Sequence, residues 1–128
     1  MKKFIRLIIL LISITTVLSG LVQLIHTEFI LSQIGAEITP VTVQLFATIA
    51  MFMVLFGGLI IHALYSAHSN RAAFLWGALQ KLGASIAVFI GIHHHLFLSK
   101  AALVASFDLL SAILFFIYLL LTKNEDHQ

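Results

Sequence analysis

Apolar residues occupy this chain in four long runs, at residues 4–25, 41–65, 72–92 and 101–121, separated by short polar links. A helix needs about 20 mostly apolar residues to cross the hydrocarbon core of a bilayer, and each run meets that length. The starts carry helix signals: Thr39 as N-cap before Pro40 for the second run, Ser69-Asn70 before the third, and Ser99 before the fourth. The links at 66–71 and 93–100 are short enough to force antiparallel neighbours. The longer link, 26–39, has a pattern of its own. Ile30, Ile34 and Ile38 recur every four residues against Glu28, Ser32, Gln33 and Glu37. This predicts a short helix lying along the membrane surface or, because Gly35 interrupts it, an irregular loop. The expected fold is all-α: one integral-membrane domain over residues 1–128, built as an antiparallel four-helix bundle.

Composition agrees with a bilayer as solvent. Hydrophobic residues make up 61% of the chain and charged residues 9%, with a mean hydropathy of +1.11. A soluble core of this size could not bury that excess. The net charge of +2 is too small and too dispersed to indicate nucleic acid. With no cysteine, disulfides, thiolate catalysis, iron–sulfur clusters and cysteine-based zinc sites are excluded. Placing the N-terminus inside makes Lys2, Lys3, Arg6, Arg71 and Lys123 cytoplasmic and leaves only Lys100 outside. The positive-inside rule therefore puts both termini in the cytoplasm. The start, Met1 to Arg6 before an apolar run, also has the form of a signal peptide, but the run continues past Ser19-Gly20 to Ile25, long for such a segment. The polar tail at 124–128 is expected to fray.

Two ionisable residues lie deep within the runs, Lys81 and Asp108. At 1.5 Å rise per residue, Lys81 falls near mid-membrane and Asp108 roughly 12 Å below the outer surface. Each shares a helix side with small residues: Gly77, Ala78, Ala84 and Ser85 beside Lys81, and Ala101, Ala105, Ser111 and Ala112 beside Asp108. Small faces let helices approach in lipid. A charge at bilayer depth costs ~2.5–3.5 kcal/mol on the insertion scale and usually pairs or lines a cavity. A Lys81–Asp108 contact inside the bundle is therefore expected, either as a salt bridge fixing the third and fourth runs or as a proton or ligand site.

Further polar residues form stripes. Gln44, Thr48, Met51, Leu55, Gly58 and His62 share one azimuth of the second run, and Thr16, Ser19, Gln23 and His26 share an arc of the first. Both are expected to face the interior, through interhelical hydrogen bonds or as part of a polar pocket comprising Lys81, Asp108, Gln44 and Gln23. Seven histidines raise the question of metal or haem. His62 has no partner at its depth except the loop residue His68. His26 and His95, with Glu28 as an oxygen ligand, are the metal candidates near the outer surface. The run His93-His94-His95 cannot ligate one ion without unwinding, since successive side chains point ~100° apart. The alternative for all of them is an amphipathic role at headgroup level, which Tyr65 and Trp76 also suit at the inner boundary.

No G-x-S-x-G, H-E-x-x-H or phosphate-binding glycine loop is present. In its basic start Met1-Lys2-Lys3, its Gly57-Gly58 pair and its four-span plan, the chain resembles small bacterial four-helix membrane proteins of the DoxX-like kind. The resemblance implies a bacterial inner-membrane setting linked to respiratory or redox accessory roles, and carries no site residue. Three functions follow as expectations: a non-catalytic accessory or interaction subunit in a larger membrane complex or homo-oligomer; a quinone-, lipid-, metal- or haem-binding or redox module using the outward polar cluster; and a proton-coupled transporter of a small solute with Lys81–Asp108 as relay.

Overall fold

A computed structural model describes residues 2–67 and 70–123. Its regular elements are five helices: α1 (Lys2–Ile25), α2 (Thr27–Gln33), α3 (Pro40–Tyr65), α4 (Arg71–His93) and α5 (Ala101–Leu121). All but α2 are long and apolar enough to cross a membrane. Ser69, His68 and the 124–128 tail, singled out above, lie outside the described residues.

The helix ends follow local chemistry. Thr39 caps α3: its hydroxyl accepts from the Thr42 amide at 3.1 Å, and the Thr42 hydroxyl accepts from the Thr39 amide at 2.7 Å. This reciprocal box, with Pro40 at the first position, fixes the start of α3. Asn70 holds the N-cap position of α4 without a side-chain capping bond. Ser99 is not the cap of α5; Lys100 takes that position, also uncapped by its side chain, because residues 98–101 already form a helical turn.

The 26–39 link resolves in favour of the short helix. The chain bends at His26, and the Thr27 hydroxyl donates to the carbonyls of Gln23 (2.7 Å) and Leu24 (3.2 Å) that the bend would otherwise release. Gly35 ends α2 rather than breaking it. At φ +72° it allows the Gly35 amide to reach Ser32 O and the Ala36 amide to reach Leu31 O, the paired bonds of a Schellman motif. The end of α4 repeats this arrangement with His95 at φ +61°, its amide on Ile92 O and the Leu96 amide on Gly91 O. The two links then meet through the Leu98 amide, which donates to Ile34 O at 2.7 Å.

α1 packs most extensively on α3, and α4 on α5; contacts of α1 with α5 and of α3 with α4 are sparser. Along the α1–α3 seam, Gln23 meets Phe46, Gly20 meets Ala50 and Val54, Val17 meets Gly57, and Arg6 meets Leu64. Glycine sets the separation. A Cβ on Gly57 would stand 2.6 Å from Val17 Cγ2 and 2.9 Å from Ser13 O, and one on Gly20 2.9 Å from Val54 Cγ2. The apolar core lies where all four long helices converge, around Ile9, Ile60, Leu64, Phe74, Phe115 and Leu119. Phe74 is edge-on to Phe115 at 6.4 Å between centroids. Large apolar side chains such as Leu11, Phe52, Leu103 and Leu110 remain on the outside, as hydrocarbon permits and water would not.

The α3 stripe requires a correction. Gln44, Met51, Leu55, Gly58 and His62 are exposed on the outer surface and do not face the interior; Thr48 is half-buried. The contact face of α3 is instead set by Ala50, Gly57, Ile60 and Leu64. Gln44 lies roughly 140° around the helix from Gly57, at ~100° per residue. Close backbone approach at small residues outweighs the pull of a few polar groups, because van der Waals packing drives helix association in lipid. Thr48 already donates to Gln44 O at 3.0 Å. In α1 the predicted arc is half right: Thr16 and Gln23 are buried, while Ser19 and His26 are exposed.

Candidate functional site

The buried seam of α1 contains Ser13, Thr16, Gly20 and Gln23, at spacings of three, four and three that keep them on one face. On α4 the buried residues Gly77, Ala78, Lys81 and Ser85 form a similar strip, and on α5 Ala105, Ser111 and Ala112 do so. Small side chains on both faces let α4 and α5 approach closely enough for a long side chain to cross between helices. Ser111 needs no partner from elsewhere, since it donates to Phe107 O at 2.7 Å.

Lys81 is the side chain that crosses. Its Nζ donates to Asp108 Oδ1 at 3.3 Å and to Thr16 Oγ1 at 2.8 Å, joining α4 to both α5 and α1. The side chains are 7% exposed for Lys81 and 14% for Asp108. The Thr16 hydroxyl passes its own proton to Ile12 O at 2.9 Å, so it accepts from the ammonium without losing its backbone bond. The ammonium also stands 5.3 Å from the Phe107 ring centroid, within cation–π range. The ion pair is longer than the 2.7–2.9 Å of a tight charge-assisted bond; the shorter contact is the one to Thr16. The expected Lys81–Asp108 contact is therefore present, with a third member the sequence reading had not assigned to it. A small cavity of about 10 Å³ adjoins the cluster, lined by Ser13, Thr16, Gly57, Gly77, Gln80 and Lys81 among others.

The other residues of the expected pocket do not join the cluster. Gln23 is buried, but its amide donates to Phe46 O at 2.9 Å, two helical turns (~10.5 Å) along α1 from Thr16. Gln44 is exposed on α3. Both fail for one reason: α1 and α3 close on each other through small residues, which turns Gln23 onto the α3 backbone and Gln44 away.

At the end of the molecule where α1 begins, Arg6 donates to Leu64 O in the last turn of α3 and lies 5.9 Å from the Tyr65 ring centroid. Arg71 donates to the Thr122 hydroxyl, just past the end of α5, at 3.0 Å. A cation at a helix C-terminus meets the negative end of the helix dipole.

At the opposite end, His26 and Glu28 line a shallow concavity of about 360 Å³ with Ile25, Thr27, Phe29 and Val43. His95 is not among its lining residues. No group of three or more His, Cys, Asp or Glu side chains lies together among the described residues, so His26, Glu28 and His95 are not brought together as a three-ligand group. The cause is local: the Schellman turn at the end of α4 leaves His93, His94 and His95 exposed, and His93 and His94 instead meet edge to face at 5.6 Å.

Compared with family models, with curated proteins and with solved structures, the chain matches none.

Proposed function

We propose that the chain is a small multi-pass protein of a bacterial cytoplasmic membrane, an antiparallel four-helix bundle with both termini inside, acting as a non-catalytic accessory or interaction subunit of a larger membrane assembly. The observation that carries this reading is the cluster of Lys81, Asp108 and Thr16. One ammonium bridges three helices, and the cavity beside it, at about 10 Å³, has room for about one water. That is the geometry of a pin: it fixes the mutual rotation of α1, α4 and α5. A proton-coupled solute path would need more space along the helices, and a redox centre more ligands. The orientation is supported by Arg6 and Arg71, which bind helix ends where Lys2, Lys3 and Lys123 also lie.

The test is purification from native membranes without detergent exchange, with mass spectrometry of what accompanies the chain. A stoichiometric membrane-protein partner, retained when Lys81 and Asp108 are together replaced by Met and Leu, is the expected result. A folded double variant that loses its partner or its cellular role would count against the pin.

A second reading has one observation in its favour. The 360 Å³ outer concavity has the volume of a small-ligand site and combines apolar walls with His26 and Glu28, which suits a lipid headgroup or quinone ring. Co-purified quinone or lipid, displaced by His26→Ala with Glu28→Ala, would favour it over the first.

A further inference from the structure

Ser13 is 2% exposed, yet its Oγ has no hydrogen-bond partner among the described residues. Serine within a helix commonly satisfies itself by donating to a carbonyl one turn back, as Thr16 does here. Ser13 instead lines the cavity of about 10 Å³ that also receives Thr16, Gln80 and Lys81. Ser13 and Thr16 are three residues apart on one face of α1 and line the same space.

The donor count points to an occupant. An ammonium has three N–H donors and no acceptor. Lys81 uses one on Thr16 and one on Asp108. Cavities that stay dry in proteins are apolar, whereas a cavity of this volume bordered by two to four polar groups meets the requirements of one buried water. Gly57 and Gly77 also line it, and neither can gain a Cβ without pressing on a neighbour, Val17 at 2.6 Å from Gly57 and Ile60 at 2.8 Å from Gly77.

We propose that this cavity is a binding site for a single confined water molecule, which accepts the third proton of the Lys81 ammonium and donates to Ser13 Oγ. The water completes the ammonium's coordination at bilayer depth and extends the ion pair one step along α1, so that α1 is held to Lys81 at both Thr16 and Ser13. The proposal rests on the reading of Lys81 and Asp108 as an internal pair, and its failure is distinguishable from the failure of that reading.

The experiment is water-edited solid-state NMR on the isotope-labelled full chain in lipid bilayers. The controls are Leu55 on the lipid-facing side and Lys100 in the outer link. Ser13 Cβ and Lys81 Cε are expected to receive water magnetisation more slowly than Lys100 but clearly above Leu55. Ser13→Val, which removes the hydroxyl and fills space, is expected to bring Lys81 down to the Leu55 level. Native Ser13 and Lys81 at the Leu55 level would overturn the proposal; a Lys81–Asp108 contact persisting in that sample would leave the pair itself intact. Transfer as fast as at Lys100 would also overturn it, because it would mean an open hydrated path. If Ser13→Val does not fold, the native measurement decides alone.

Discussion

Replacing Lys81 by Met removes the ammonium while keeping most of the side-chain volume. Asp108, 14% exposed, is left without its cation, and Thr16 loses the donor at 2.8 Å but keeps its bond to Ile12 O. Breaking a buried pair by removing one partner costs about 3–5 kcal/mol. The 3.3 Å separation and partial exposure of Asp108 place the expected loss near the lower limit, about 3 kcal/mol. Asp108→Leu should cost a similar amount, since it strands the ammonium. The double variant removes both charges and the expense of holding each within hydrocarbon, so it should return to within about 1 kcal/mol of the native protein. On these figures a double-mutant cycle should give a coupling of about 5–7 kcal/mol. The assay is reversible unfolding by SDS titration in mixed micelles, followed by far-ultraviolet circular dichroism. The reasoning fails if Lys81→Met lies within about 0.5 kcal/mol of native, the range of an uneventful surface change, or if the double variant is as unstable as the worse single one.

The adjacent glycines should part company in the same titration. Gly57→Ala forces a Cβ against Val17 and Ser13 O and should destabilise by about 1–3 kcal/mol, whereas Gly58→Ala meets open space and should be neutral or stabilising by up to about 1 kcal/mol. Gly35→Ala places a side chain at φ +72° and against Leu98 at 2.3 Å; hydrogen exchange should show faster opening of the Leu98 amide. His95→Gly relieves a left-handed residue and should stabilise by about 1 kcal/mol in the same titration. Because the chain has no cysteine, single cysteines at Lys3 and Lys100 can be labelled with a membrane-impermeant maleimide; intact cells should label only position 100, and the reverse pattern would invert the proposed topology.

The positions of the four long helices were legible because each is a continuous apolar run with Thr39, Asn70 or a polar link at its boundary. The Lys81–Asp108 contact was legible because hydrocarbon offers a lone charge few alternatives. The third member, Thr16, was expected to face inward, but its bond to Lys81 was not, because the inward arc was drawn one step of rotation from the true seam. Ser13, Thr16, Gly20 and Gln23 form the buried seam of α1, but an arc through Ser19 and His26 contains equally polar residues. Gly20 was the overlooked signal, since a small residue marks the close-packed face more reliably than a hydroxyl does. The same preference misplaced Gln44 and His62 on α3, where Gly57 marks the contact and Gly58 beside it does not. The outer histidines were beyond reach of periodicity, because His95 takes a left-handed conformation that ends helical geometry where the run occurs.

The central claim is that hydrocarbon surrounds the helices while Lys81 turns inward onto Asp108. The most direct measurement is a dipolar-recoupled ¹⁵N–¹³C distance in lipid bilayers, between the Lys81 ammonium nitrogen and the Asp108 carboxyl carbon. A coupling in keeping with the 3.3 Å nitrogen–oxygen contact is the predicted result. No coupling, with the Lys81 nitrogen instead in contact with lipid headgroup phosphorus, would contradict it.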